Sequence, residues 1–301
     1  MYFPIADVTV NPVLLMGLGF MVGILGGFFG VGGGFLAGPM MFWVGVPMNF
    51  VVGTDLAHMT GKSIVAARRH RSLGHVDLKL GALMVAGTVV GVEIGARVIE
   101  ALQAAGNIDL VVGLIYVVIL LVISAFTAWE SIRALQMVRT DRIDVEEAVG
   151  FEGLAKRLQG VNLPPMISFP VSGIEQISIW MVLGVGFLTG VLAGTLGVGG
   201  GFIRMPMLVY VLGIPTHVAV GTDLFEIVIS AGFGTLTHAI KGNVDIVMAL
   251  VMQTGAAIGA QIGATATRFF AGPKIRLAFS ALPLVGAALV IIRLLGSGAV
   301  H

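Results

Sequence analysis

The chain has 301 residues, of which 57% are hydrophobic and 11% charged, with a net charge of +1 and a mean hydropathy of +1.01. That balance lies outside the range of soluble globular domains and places most of the chain in a lipid bilayer. The small net charge offers no field to attract nucleic acid, and the absence of cysteine excludes disulfides, thiolate metal sites and any relay through a protein thiol.

Apolar runs fall at 12–29, 35–46, 50–67, 78–99 and 108–129, and after a polar stretch at 177–196, 202–212, 216–239, 244–269 and 275–294. The first positive charge is Lys62, so no basic segment precedes the run at 12–29, which reads as a retained transmembrane helix rather than a cleaved signal. A bilayer core about 30 Å thick takes about 20 helical residues. The runs at 35–46 and 202–212 are short by that measure and read as half-helices or steeply placed spans. The expected architecture is an all-α polytopic membrane protein with a first transmembrane repeat at 1–129, a cytoplasmic linker at 130–172 and a second repeat at 173–301. The linker reads first as a plain solvated connector, within which 145–158 can form an amphipathic surface helix with Val149, Leu154 and Leu158 towards lipid.

The short runs follow two glycine clusters, Gly30-Val31-Gly32-Gly33-Gly34-Phe35 and Gly197-Val198-Gly199-Gly200-Gly201-Phe202. Each glycine costs about 1 kcal/mol relative to alanine inside a helix, so the helix is expected to stop and restart at both clusters. Broken backbone at membrane depth is tolerated where it is buried in protein or lines a cavity, and paired breaks in two halves mark a transporter's binding site.

The duplication runs well beyond glycine. Pro39 aligns with Pro206, Gly53-Thr54-Asp55-Leu56 with Gly221-Thr222-Asp223-Leu224, His70 with His238 and Asp77 with Asp245. Gly87, Gly91 and Gly95 align with Gly255, Gly259 and Gly263, stripes at a spacing that lets helix backbones approach closely. Five runs per half, if each crosses the membrane, place the second repeat upside down relative to the first. An outside N-terminus puts Arg68, Arg69, Arg71, Lys79, Arg133, Arg139, Arg142, Lys156, Arg157, Arg268, Lys274 and Arg276 inside and only Arg97, Lys241 and Arg293 outside. This is the bias that cytoplasmic loops show.

In the two glycine clusters, the prolines that follow them and the Gly-Thr-Asp elements, the chain resembles the TauE/SafE sulfite exporters over both halves. The resemblance implies transport of small sulfur-containing anions such as sulfite, sulfoacetate or sulfolactate across the cytoplasmic (inner) membrane of a bacterium or archaeon. It does not single out one substrate, and it implies neither a direction nor an oligomeric state, so a homo-oligomer is left open.

An anion site also follows from the residues themselves. A helix that restarts after a break presents free N–H groups and its positive dipole end, and glycine lets an oxyanion come close to them. Gly32, Gly33, Gly34 and Phe35, with Gly199, Gly200, Gly201 and Phe202, are therefore candidate anion contacts. Arg204 stands where the first repeat has Ala37, and its guanidinium can hold two oxygens of a sulfite or sulfonate, or pair with a structural carboxylate. Thr54 and Thr222 can donate to substrate or cap helices. Asp55, His58, Asp223, Glu226 and Glu93 are candidate proton-coupling groups, and Lys62 either neutralises Asp55 or substrate or snorkels to the cytoplasmic end.

Other chemistries fit less well. Gly61-Lys62-Ser63 lacks the upstream glycine of a phosphate loop, and neither glycine cluster has the register of a dinucleotide fingerprint. No cofactor or metal motif is present, and the six histidines are dispersed. An intramembrane hydrolase using Ser230 and His238 is the rival enzyme reading, and a passive anion channel is the rival transport reading.

Overall fold

Backbone groups in a bilayer find no water, so helices that satisfy their own hydrogen bonds dominate the spanning part of the molecule. The computed structural model describes residues 1–29, 34–140, 163–197, 200–266 and 273–297. A hairpin of β1 (Tyr2–Phe3) and β2 (Val8–Thr9) leads into α1 (Pro12–Phe29) and α2 (Gly34–Trp43). These are followed by α3 (Met48–Ser72), α4 (Leu78–Ala104) and α5 (Ile108–Thr140). A second hairpin, β3 (Met166–Phe169) and β4 (Ile174–Ser178), opens the next half. Then come α6 (Ile179–Leu196), α7 (Gly201–Pro206), α8 (Thr216–Ile240), α9 (Ile246–Ala266) and α10 (Pro273–Ser297).

Among the described residues five helices are long and apolar enough to cross a membrane: α4, α5, α6, α8 and α9. Their outward faces carry side chains such as Val90, Val118, Val122, Leu188 and Ile258, all more than half exposed and suited to lipid. The chain is an all-α polytopic membrane protein. α3 has a lower mean hydropathy because it ends on Arg68, Arg69, His70 and Arg71 and carries Asp55, His58 and Lys62, of which the last three are turned inward.

Three features depart from the sequence expectation. Helix α5 continues to Thr140, through residues assigned to the linker, and the amphipathic helix expected at 145–158 lies outside the described residues. The β3–β4 hairpin occupies the end of the same polar stretch. The second short run is divided, because Pro206 has no N–H to give to the helix and residues Met207–Val211 relax into a π turn.

Glycine stripes decide the packing. In α1, Gly19, Gly23 and Gly27 lie directly against the backbone of Met252, Ala256 and Ala260 in α9, while Gly255, Gly259 and Gly263 of α9 lie on Met16, Phe20 and Ile24. The other half repeats the arrangement. Gly186, Gly190 and Gly194 of α6 meet Met84, Thr88 and Val92 of α4, whose Gly87, Gly91 and Gly95 meet Leu183, Phe187 and Val191. Each first helix thus runs parallel to the fourth helix of the opposite half, and the contacts are reciprocal. Corresponding helices run the other way. Gly232 and Gly234 of α8 face Thr60 and Leu56 of α3 in falling register. Gly113 of α5 lies on Val290 and Leu294 of α10, while Ser124 Oγ donates to the Ser280 carbonyl. The α3–α8 and α5–α10 pairs are therefore antiparallel.

A methyl group at Gly19 or Gly186 would run into the facing backbone, whereas Gly17 and Gly184 have no neighbour at the Cβ position. Gly19→Ala and Gly186→Ala are expected to destabilise by about 1–3 kcal/mol through overpacking. Gly17→Ala and Gly184→Ala should be neutral or stabilising by up to about 1 kcal/mol, from helix propensity. Thermal unfolding in detergent checks this, and equal effects at the two kinds of position would contradict the packing argument.

Candidate functional site

The Gly-Thr-Asp elements divide their labour by helix face. Gly53 and Gly221 let the backbones of Asn243 and His75 pass close by. The neighbouring hydroxyls then accept main-chain hydrogen bonds: Asp245 N–H donates to Thr54 Oγ1 at 3.0 Å, and Asp77 N–H to Thr222 Oγ1 at 2.9 Å. Asp77 and Asp245 in turn accept the Leu80 and Met248 N–H groups, capping α4 and α9. Thr54 and Thr222 thus dock helices of opposite halves. The aspartates next to them, Asp55 and Asp223, point to a different face and enter two buried polar clusters.

The second break is built on left-handed glycines. Gly197 caps α6 at φ +73°, its N–H donating to the Ala193 carbonyl at 2.8 Å, and Gly200 at φ +74° begins α7. Any side chain at Gly197 would also collide with the Val52 backbone of α3, so the break sits against the opposite half. Tyr116 of α5 fixes it there by donating its hydroxyl to the Leu196 carbonyl, and Gly38 of α2 leaves room for that hydroxyl. Of the glycine-cluster candidates, Gly34 starts α2 and Gly200 and Gly201 start α7, with Phe35 and Phe202 in the first turns. Gly32, Gly33 and Gly199 lie outside the described residues.

Arg204 follows that break and is wholly buried. Its Nη1 donates to Asp223 Oδ1 at 2.9 Å and also pairs with Glu226 Oε2, while Nε donates to Thr189 Oγ1 at 3.2 Å. Ser230 Oγ donates to the same Glu226 oxygen at 3.0 Å. Nη2 lies beside Gly200 and has no hydrogen-bond partner among the described residues. With all three groups ionised this cluster carries one net negative charge. Two carboxylates on one guanidinium nitrogen hold the arginine firmly, and a proton on either would loosen that hold.

The corresponding positions of the first half hold a different set. Ala37 replaces Arg204, His58 replaces Glu226 and Lys62 replaces Ser230, with Asp55 at the place of Asp223. His58 Nδ1 lies 3.1 Å from Asp55 Oδ1, and Lys62 is buried one turn beyond His58 on the same helix. Lys62 is 2% exposed and sits inside α3, so it does not snorkel to a membrane surface.

Glu93 stands apart from both clusters, bonded to the exposed Arg97 at 2.9 Å. His238 Nε2 lies 3.0 Å from the Gly194 carbonyl, a helix-to-helix contact, and Ser230 faces Glu226, so the structure does not pair Ser230 with His238 as a nucleophile and its base. Where α3 ends and α8 begins, the His75 ring lies 5.0 Å from His217. Burial first, and His217 second, hold the His75 imidazole below its ordinary value. Sequence reading did not single out Tyr116 or Thr189, since a lone hydroxyl in an apolar run has no periodic signature.

Arg204→Met would leave two buried carboxylates facing each other, and a loss of about 3–5 kcal/mol is expected. Combining it with Asp223→Asn and Glu226→Gln should recover most of that loss. Melting temperatures of the single and triple variants check this, and a triple variant no more stable than the single would contradict the cluster's charge balance.

The model of the sulfite exporter TauE/SafE family matches residues 15–290. The probable membrane transporter protein YunE of Bacillus subtilis is 25% identical over 270 residues, covering 85% of this chain and 88% of that protein. The probable membrane transporter protein YdhB of the same organism is 24% identical, covering 90% of this chain and 97% of that protein. The probable membrane transporter protein MJ0441 of Methanocaldococcus jannaschii is 25% identical, covering 89% and 91%. No solved structure matches. The broken, glycine-packed helices and the match over most of the chain lead to one assignment: the protein is a multi-pass membrane transporter of the TauE/SafE family.

Proposed function

We propose that the protein carries small sulfur-containing oxyanions, sulfite or an organosulfonate, across the membrane by alternating access of two inverted repeats. The antiparallel run of α3 against α8 and of α5 against α10 supports inversion, because repeats related by an axis along the membrane normal would have corresponding helices parallel. The observation that carries the anion reading is Arg204: fully buried, at the second break, with Nη2 unpartnered among the described residues and directed at Gly200. An oxyanion there gains a charge-assisted hydrogen bond and the amide groups of the restarting helices.

Asp223 and Glu226 supply the coupling. With both ionised, an incoming anion meets net negative charge, so anion entry favours uptake of a proton by one of the two carboxylates. The proton offsets the repulsion and frees part of the guanidinium. Transport would then respond to a pH gradient through these residues, and Glu93, tied to Arg97 on the half-exposed face, would contribute nothing to it.

Uptake of labelled sulfite and sulfoacetate into proteoliposomes tests this. Saturable flux with counterflow is expected for a carrier, whereas linear flux without counterflow indicates a channel. Glu226→Gln should keep flux but reduce its response to an imposed pH gradient, because glutamine still accepts from Ser230 and no longer takes a proton. Glu93→Gln should behave as the native chain. Full pH response in Asp223→Asn and Glu226→Gln together would place coupling elsewhere.

A further inference from the structure

The two halves place their buried charge differently. In the second half each charged group of the Arg204 cluster has at least one partner: Arg204 holds Asp223, Glu226 and Thr189, and Ser230 donates to Glu226. In the first half the Lys62 ammonium, 2% exposed, has no hydrogen-bond partner among the described residues. His58 Nε2 and Asp55 Oδ2 are likewise buried and without partners there. A buried ammonium lacking hydrogen bonds is costly, and its simplest compensation is a ligand that accepts them.

The surroundings fit an anion better than a cation. Asp55 and Lys62 sum to zero, whereas the Arg204 cluster carries one negative charge, so the first half is the less repulsive side for an anion. Asp55 is partly engaged, Oδ1 being taken up by His58 Nδ1. Helix α9 contributes the neutral Gln253 next to Gly61, and α2 has Ala37 where α7 has its arginine. Lys62 is the only ammonium among these residues and makes no ion pair among the described residues, while the carboxylate on its own helix, Asp55, is shared with His58.

We propose that Lys62, with His58 one turn and Asp55 two turns before it on α3, forms a second contact for the transported oxyanion, in the first repeat at the positions that correspond to the Arg204 cluster. This rests on the anion-carrier reading above and adds to it a division of roles: the second half holds the proton-linked carboxylates, and the first half receives the anion on a cation with no partner to displace. One oxygen of a sulfite or sulfonate accepts from Lys62 Nζ. Asp55 opposes the anion while orienting His58, so Lys62 and Asp55 act on affinity with opposite sign.

The test is calorimetric titration of the full chain in detergent with sulfite, and separately with sulfoacetate, for the native protein, Lys62→Gln, Lys62→Arg and Asp55→Asn. Lys62→Gln is expected to weaken binding on the order of tenfold or more, as loss of a buried charge-assisted contact does. Lys62→Arg should bind within a few-fold of native, and Asp55→Asn should bind more tightly than native. A purely structural Lys62–Asp55 pair would instead lower melting temperature in both neutral variants and leave affinity unchanged, which overturns the proposal while the carrier reading stands. Should Lys62→Gln fail to fold, Asp55→Asn decides: unchanged or weaker binding overturns it. If the native chain binds neither anion, the carrier reading and this inference fall together.

Discussion

Close backbone contact between helices of opposite halves is the constraint on which the rest of the molecule depends. Lipid tails are as apolar as leucine, so helices in a membrane gain little from burying apolar side chains against one another and depend on dense packing instead. Here α1 lies on α9 and α6 on α4 along facing glycine stripes, with no side chain between the backbones. Gly197 against Val52 and the Tyr116 bond to Leu196 hold the second break at the seam between the halves.

The same seam explains how strongly charged residues survive in an apolar chain. α3 and α8 pack against each other and bury Asp55, His58 and Lys62 on one and Asp223 and Glu226 on the other, while the arginines of α3 sit exposed at its C-terminal end. Thr54 and Thr222 dock these central helices onto the starts of α9 and α4, so the aspartates beside them are positioned by main-chain hydrogen bonds rather than by their own pairing. Charge is therefore held at fixed places before any ligand arrives. Under the proposed function, such preorganisation would let a positive charge meet an anion without a reorganisation cost at the moment of binding.

Duplication followed by divergence gives the two halves unequal chemistry on equal scaffolds. The caps at Asp77 and Asp245, the docking threonines and the glycine stripes are retained in both, because each serves packing that both halves need. The positions that face the polar clusters have drifted, with arginine for alanine, glutamate for histidine and serine for lysine. Under the proposed carrier reading, such asymmetry would let the two clusters take different roles.

The amino-acid sequence by itself determined the membrane class, the helices and their duplication. Apolar length, glycine spacing and ordered matches are local or periodic properties, and they survive whatever the helices pack against. It also exposed Arg204, because an arginine opposite Ala37 breaks the repeat. What each polar residue touches was decided only by the tertiary structure. The Gly-Thr-Asp elements read as one polar unit, yet successive residues on a helix point about 100° apart, which sends Thr54 to a main-chain bond and Asp55 to a buried cluster. The Tyr116 anchor and the carboxylates on Arg204 likewise depend on residues far apart in the chain. A one-dimensional pattern records which face a residue occupies, and only the packed helices determine what that face meets.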